Sequence, residues 1–246
     1  MLSEDLIEKY DAAITSDKIT QLFGQTGFYN TGSWPDGLPS VPENMVAASR
    51  ELVQRHLDIE TPESLESVSA VLDVACGLGA TTRRFVAAYP NADVTGINIS
   101  QRQIDIAADR CPGVRFHRMD AVAMDFPDDS FDRIHCVESA FYFDTRYDFF
   151  REALRLIRPD GVVVVSDVLF RAPFGIAMPN SNLGETVESY RETLLGMRFR
   201  ILRMEDITSR TVVPFSAMAA DHTLGYDREM TLYATANYLL VALQPC

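Results

Sequence analysis

From Asp73 to Gly79 the chain reads Asp-Val-Ala-Cys-Gly-Leu-Gly, an acid followed by small residues at alternate positions. An apolar run, Val71 to Val74, precedes it, and an amphipathic segment containing Thr81, Thr82, Arg83 and Phe85 follows. That order describes a buried strand, a tight turn whose backbone can lie against a ligand, and a helix N-terminus that presents free N–H groups. The chemistry such a turn performs is the cradling of a nucleotide-like group. A dinucleotide fingerprint needs a third small residue three positions after the second glycine, to let helix and strand close together. Thr82 stands there, which argues against that ligand class.

Stepping outward, from Val68 strands and helices alternate, the pattern of a parallel sheet with crossover helices. Strands are predicted at Ala70–Val74, Asp93–Ile97, Val114–Arg118, Phe131–Val137 and Val162–Val168, with helices at Thr81–Ala88, Gln101–Asp109 and Arg146–Ile157. The turn Arg158-Pro159-Asp160-Gly161 introduces the fifth strand. A helix at Glu185–Leu195 and strands at Phe199–Asp206 and Tyr238–Leu243 complete the series. Residues 1–68 read as a helical cap. Leu2, Leu6, Ile7 and Ile14 form a stripe behind Ser3 as a possible N-cap, a Gly/Pro/aromatic loop runs from Gly24 to Pro42, and a helix follows to Leu57. Residues 69–246 form the α/β core, in which 207–237 is a short lid with one helix at Pro214–His222.

The 246 residues, 47% hydrophobic and 23% charged, suit one α/β domain with a cap. A formal charge of −13 disfavours a nucleic-acid backbone or an anionic membrane as partner. The densest basic group, Arg198, Arg200 and Arg203, reads as one solvated strand face with Glu205 and Asp206 close behind. No apolar run is long enough to cross a bilayer, and the acidic start, Glu4-Asp5, does not read as a secretory signal. Cys76, Cys111, Cys136 and Cys246 are scattered, so the expectation is no metal site, no disulfide framework and a cytoplasmic setting.

Asp-x-Ala-x-Gly-x-Gly resembles the first motif of class I S-adenosylmethionine-dependent methyltransferases, with Ala75 in place of the usual first glycine. Later positions agree in order. Asn98 ends strand two, 25 positions after Asp73, at the site where relatives usually carry an acid for the ribose hydroxyls. Asp120 and Ala121 follow strand three, Val137 and Glu138 end strand four, and Leu156–Gly161 precedes strand five. The resemblance implies a Rossmann-like fold with a mostly parallel seven-stranded sheet and an antiparallel final strand. It also implies S-adenosylmethionine as cofactor, with S-adenosylhomocysteine as product. Asp73, Ala75, Cys76, Gly77 and Gly79 would hold the cofactor from the first loop, with Asn98, Ile99 and Gln103 at the ribose and Asp120 and Ala121 at the adenine. Val94–Ser100, Glu138–Asp144 and the loop Phe28–Trp34 are similar to bacterial small-molecule methyltransferases of secondary metabolism, which act on polyketides, sugars and phenols. That likeness adds Tyr29 and Trp34 as covering residues and implies a small-molecule acceptor, with O-methylation ahead of C- or N-methylation.

Such transfer needs a nucleophile aligned with the methyl carbon and, where required, a base. Relatives often carry His just after strand four, where Phe141 and Tyr142 stand here. The candidates left are Asp167, matching an acid found at the end of strand five in relatives, Tyr142 as a hydrogen-bond donor or pocket wall, and His222 near the lid. His56 reads as the end of a surface helix, and His117 and His135 as strand residues. With so short a lid, three closures are open: the N-terminal cap, a second subunit in a homodimer, or none, for a bulky substrate. Two further functions stand beside methyl transfer: a cyclase or rearrangement enzyme that uses the cofactor only as scaffold, and a non-catalytic partner subunit.

Overall fold

The structure is a computed structural model and describes residues 4–173, 178–222 and 227–246; Leu2 and Ser3 of the expected first helix lie outside these, as does the side chain of Leu6. The described chain begins with α1 (Glu4–Ile14) and α2 (Asp17–Phe23), the latter capped by the Ser16 hydroxyl, which accepts from Ile19 N. A 3₁₀ turn at Pro42–Asn44 leads into α3 (Met45–Leu57), and a capping box between Thr61 and Ser64 starts α4 (Pro62–Ser67).

The alternating part follows as β1 (Ala70–Val74), α5 (Ala80–Ala88), β2 (Asp93–Asn98), α6 (Gln101–Arg110), β3 (Arg115–Arg118), β4 (Phe131–Val137), α7 (Arg146–Leu156) and β5 (Ile157–Phe170). Then come α8 (Val187–Gly196), β6 (Phe199–Asp206), α9 (Val212–His222), α10 (Arg228–Ala234) and β7 (Thr235–Pro245). Among the described residues the strands form one seven-stranded sheet in the order β3-β2-β1-β4-β5-β7-β6. β7 runs antiparallel to both β5 and β6, the expected inversion at the final strand.

Because both faces are covered, the central strands are apolar on both sides. Val71, Val94, Val164 and Leu240 face α3 and α5, while Leu72, Ile134, Val163, Val165 and Val241 face α7 and α8. Leu52 on α3 and Phe85 on α5 are fully buried, each contributing about 1.5–3 kcal/mol.

Two expectations change. β5 is much longer than the predicted Val162–Val168. Its first residue pairs early, Phe131 with Ile157, and pairing resumes at Arg133 with Val162, so the Arg158–Gly161 turn is carried inside the strand opposite Asp132. The Arg158 guanidinium and the Ser69 and Ala70 amides fix Asp132 there, holding its carboxyl down at about 2 despite partial burial. His56 is not a surface residue. It is fully buried with its ring 5.7 Å from that of His135, and burial lowers its pKa well below the ordinary range.

Candidate functional site

The first loop is built from three left-handed backbone positions, Ala75 (φ 58°), Gly77 (φ 53°) and Gly79 (φ 84°). Cys76 N donates to Ile97 O and Gly79 N to Cys76 O, so the turn folds back over the end of β2. Each glycine has its own reason. A Cβ at Gly77 would meet nothing within 4 Å, because the position opens onto a cavity, whereas one at Gly79 would press on Ala107 of α6 at 3.1 Å. Gly79 thus serves helix packing and does not line the cavity.

Asp73 does not line the cavity either. It is 1% exposed, and its Oδ2 accepts from Thr81 Oγ1 at 2.7 Å and Thr82 Oγ1 at 2.6 Å. The β-branched residue that broke the dinucleotide pattern therefore ties the loop to the helix that follows it. Burial raises the Asp73 carboxyl to about 7, outweighing the two hydroxyl bonds that lower it.

The cavity lies over the C-terminal ends of β1, β2 and β4. Its lining includes Ala75, Cys76, Gly77, Asn98, Ile99, Gln103, Asp120, Ala121, Val137 and Glu138, all expected from the sequence, together with Tyr29 and Tyr142. It also includes residues that the sequence reading missed: Ile7, Tyr10 and Ile14 from α1, Gly27, Phe28 and Asn30 from the loop, Ser100, and Phe141, Phe143 and Asp144 beside Tyr142. The Ile7/Ile14 stripe was visible in the sequence, but not what it packs on. No Lys, Arg or His lines the cavity among the described residues.

α1 and the loop thus cover the cavity, and no described residue of 207–237 lines it. The described residues of that segment do not form the expected lid; Val212, Met218 and Ala234 are buried in the cluster that contains Trp34. Trp34 is likewise corrected. It is 3% exposed in this core, its indole N–H donating to Thr31 O and its backbone N–H to Arg210 O. Gly32 allows this packing, since a Cβ there would lie 2.8 Å from the Ala48 backbone. His222, on α9, is exposed and is not among the lining residues.

Asp167 is the clearest departure. Side chains alternate along β5, and Asp167 falls with Val163, Val165 and Leu169 on the face turned toward α7 and α8. The strand also continues to Phe170, with Asp167 paired to Leu239, so the residue is not at a strand end. There it is fully buried, 3.5 Å from Arg146 Nε. Desolvation raises its pKa, opposed by Arg146. Arg146 also donates to Val168 O and Asn182 O, while Asn182 Nδ2 donates to Phe141 O and Phe143 O. The charge cluster therefore braces, from behind, the turn that carries Tyr142.

Glu138 joins the parts. At the end of β4 it accepts from Thr31 N at 2.9 Å, Thr31 Oγ1 at 2.8 Å and Tyr238 Oη at 2.7 Å, pinning the loop and β7 together. Desolvation raises it to about 7 against those bonds. Across the cavity the Tyr10 and Tyr142 rings meet edge to face at 5.0 Å, and burial raises both phenols, so both hydroxyls are protonated donors near neutrality. The Tyr10 hydroxyl is buried and faces the Tyr142 hydroxyl, to which it donates. A cradle of left-handed backbone, open space at Gly77, amide and carboxylate groups at Asn98, Gln103 and Asp120, and an aromatic wall fit an adenosine-bearing cation.

Comparison with known proteins gives a consistent result. Residues 71–161 match the family model described as a methyltransferase domain. The chain is 30% identical over 178 residues to methyltransferase GfsG of Streptomyces halstedii, covering 69% of this chain and 59% of that one. It is 31% identical over 174 residues to the 27-O-demethylrifamycin SV methyltransferase of Amycolatopsis mediterranei, covering 68% and 60%. The chain thus spans about three fifths of the length of these relatives. Its fold is similar to the cyclase SpnF (TM-score 0.75, 24% identity, 96% and 94% covered). It is similar too to the geranyl diphosphate C-methyltransferase of Streptomyces coelicolor, solved with Mg²⁺, geranyl diphosphate and S-adenosyl-L-homocysteine (TM-score 0.78, 16% identity, 99% and 97% covered).

Proposed function

We propose that this protein, whose residues 71–161 match the family model described as a methyltransferase domain, transfers a methyl group from S-adenosylmethionine to an uncharged, oxygen-bearing natural-product scaffold. The observation that carries the reading is the composition of the cavity: one continuous lining runs from the Ala75–Gly77 cradle to an aromatic wall without a single described cationic residue. An acceptor bearing phosphate or carboxylate would lose its hydration there and gain no partner. A neutral scaffold matches the apolar surfaces of Ile7, Ile14, Phe141 and Phe143. The name of the relative 27-O-demethylrifamycin SV methyltransferase supports O-methylation.

In this reading Ala75, Cys76 and Gly77 hold the amino-acid portion of the cofactor, Asn98, Ile99 and Gln103 its ribose, and Asp120 and Ala121 its adenine. The cofactor supplies an electrophilic methyl group on a positively charged sulfur. The aromatic faces of Tyr10, Tyr29 and Tyr142 and the Glu138 carboxylate favour that charge. The paired hydroxyls of Tyr10 and Tyr142 leave the Tyr142 proton free to be donated to an acceptor oxygen. Glu138 replaces Asp167 as the proton acceptor, since it faces the cavity and, at about 7, changes charge near neutral pH. Within residues 1–68, α1 and the 24–42 loop act as the cap that excludes water, and the described residues of 207–237 support the fold instead of covering the site.

The test is transfer from methyl-labelled S-adenosylmethionine to hydroxylated polyketides, phenols and sugars, each paired with a carboxylated analogue. The expected result is transfer to neutral members only. Transfer confined to the acids would overturn the proposal. A second reading, scaffold-type cyclase chemistry, is favoured by the lack of a described lining histidine and by the likeness in fold to SpnF. Under it, turnover would persist when S-adenosylhomocysteine replaces S-adenosylmethionine.

A further inference from the structure

The resemblance expects an acid at the end of β2, where this chain has Asn98. A carboxylate nevertheless stands two side chains away, on a different element. Asp11 of α1 is 7% exposed, and its Oδ2 accepts from Ser100 Oγ at 2.7 Å and its Oδ1 from Gln103 Nε2 at 2.7 Å. Gln103 Oε1 in turn accepts from Asn98 Nδ2 at 3.1 Å, and Asn98 Oδ1 accepts from Ser100 N at 2.9 Å. Asn98, Ser100 and Gln103 all line the cavity, whereas Asp11 lies behind them.

The polarity of this chain is set at both ends. The Ser100 N–H can only donate, so Asn98 turns its oxygen to it and its NH₂ to Gln103, and the Gln103 NH₂ is left for Asp11, whose two oxygens accept from Gln103 Nε2 and Ser100 Oγ. A neutral amide in place of Asp11 offers one oxygen where the carboxylate offers two, so one of those two donors loses its acceptor and the Gln103 end of the chain is loosened. The negative charge is also retained next to the ribose edge, displaced from β2 to the N-terminal cap.

We propose that Asp11 is a positioning residue for the ribose hydroxyls of the cofactor, acting through Gln103 and Asn98, so that the docking of α1 and the holding of the nucleoside are one event. The proposal rests on the cofactor reading given above. It makes the cap part of the nucleoside site as well as its roof.

The experiment is calorimetric titration of the full chain with S-adenosylhomocysteine and with its 2′-deoxy analogue, for wild type, Asp11→Asn, and Asp11→Asn combined with Asn98→Asp. Thermal unfolding of each unliganded variant runs alongside. Asp11→Asn should weaken S-adenosylhomocysteine about tenfold or more, as loss of an ordered charge-linked hydrogen-bond set does. It should weaken the 2′-deoxy analogue far less, shrinking the preference for the intact ribose. Asn98→Asp in the same chain should restore both the affinity and the preference, because the acid returns to the strand end. Equal weakening of the two ligands, or a lowered melting temperature with no change in affinity, would overturn the proposal and leave Asp11 a purely structural tie. Failure of the double variant to recover ribose preference would also overturn it. If the wild type binds neither ligand, the cofactor reading itself falls, and this inference with it.

Discussion

Replacing Asp73 by Asn tests the electrostatics of the first loop without changing its shape. Asp73 is 1% exposed and meets two neutral hydroxyls, and its carboxyl is raised from 3.8 to about 7. In the folded state it therefore holds its proton across a range in which the unfolded chain has lost it. Its folded pKa lies above the unfolded one, so its stabilising contribution is complete below about pH 3.8 and is lost as pH rises through about 7. Each pH unit in that window is worth about 1.4 kcal/mol, so wild type should lose roughly 2.5 kcal/mol between about pH 5 and pH 8 from this group. Asp73→Asn keeps an oxygen for Thr81 and Thr82 and has no ionisation to suffer. Other titrating groups, Glu138 included, are present in both proteins and cancel in the difference. Urea unfolding of both unliganded proteins at the two pH values reads the effect from the midpoints at equal slope. The stability of wild type relative to the variant should fall by about that amount at the higher pH. A difference that stays constant, or that moves toward wild type, would refute the reasoning: the hydroxyl bonds would then outweigh desolvation, and Asp73 would be ionised throughout.

Other substitutions probe the frame. Ala75→Gly removes the cost of a left-handed alanine (φ 58°) against the greater freedom of unfolded glycine, for a net gain of about 0.5–1 kcal/mol in chemical denaturation. Gly32→Ala forces a Cβ to within 2.8 Å of the Ala48 backbone at φ 71° and should destabilise by about 2–4 kcal/mol, lowering the melting temperature by roughly 5–15 °C. Arg146→Met leaves Asp167 buried without its cation and should cost about 3–5 kcal/mol in urea unfolding. Adding Asp167→Leu to Arg146→Met should recover most of that loss, which it would not do if Arg146 acted mainly through Asn182.

Much of the frame was legible because local signals and tertiary demands agreed. β1, β4 and β6 begin and end where the apolar alternation places them, and the small residues at 75, 77 and 79 announce a turn at positive φ. β5 was misjudged because Pro159 and Gly161 are turn formers in any local reading. Only the neighbouring strand, which pairs on either side of them, absorbs the turn as a bulge. Asp167 was misplaced for the same reason: moving a strand's end changes what its last acid does, and alternation then chooses the face.

The sequence by itself determined the alternating strands and helices and the glycine cradle, because these depend on side-chain size and periodicity over a few residues; the antiparallel final strand and the cofactor were what the resemblance implied. The tertiary structure decided what surrounds that cradle. α1 and the 24–42 loop lie far from the first motif along the chain; the resemblance implies that the loop covers the site, but nothing in the local pattern of α1 says which face of the core it packs on. Buried contacts between Asp11 and Gln103, between Thr31 and Glu138, and between Gly32 and Ala48 bring them there. Those same contacts fill the site with tyrosines and leave it without a described cation, a property that belongs to the assembled cavity and to no segment of the chain.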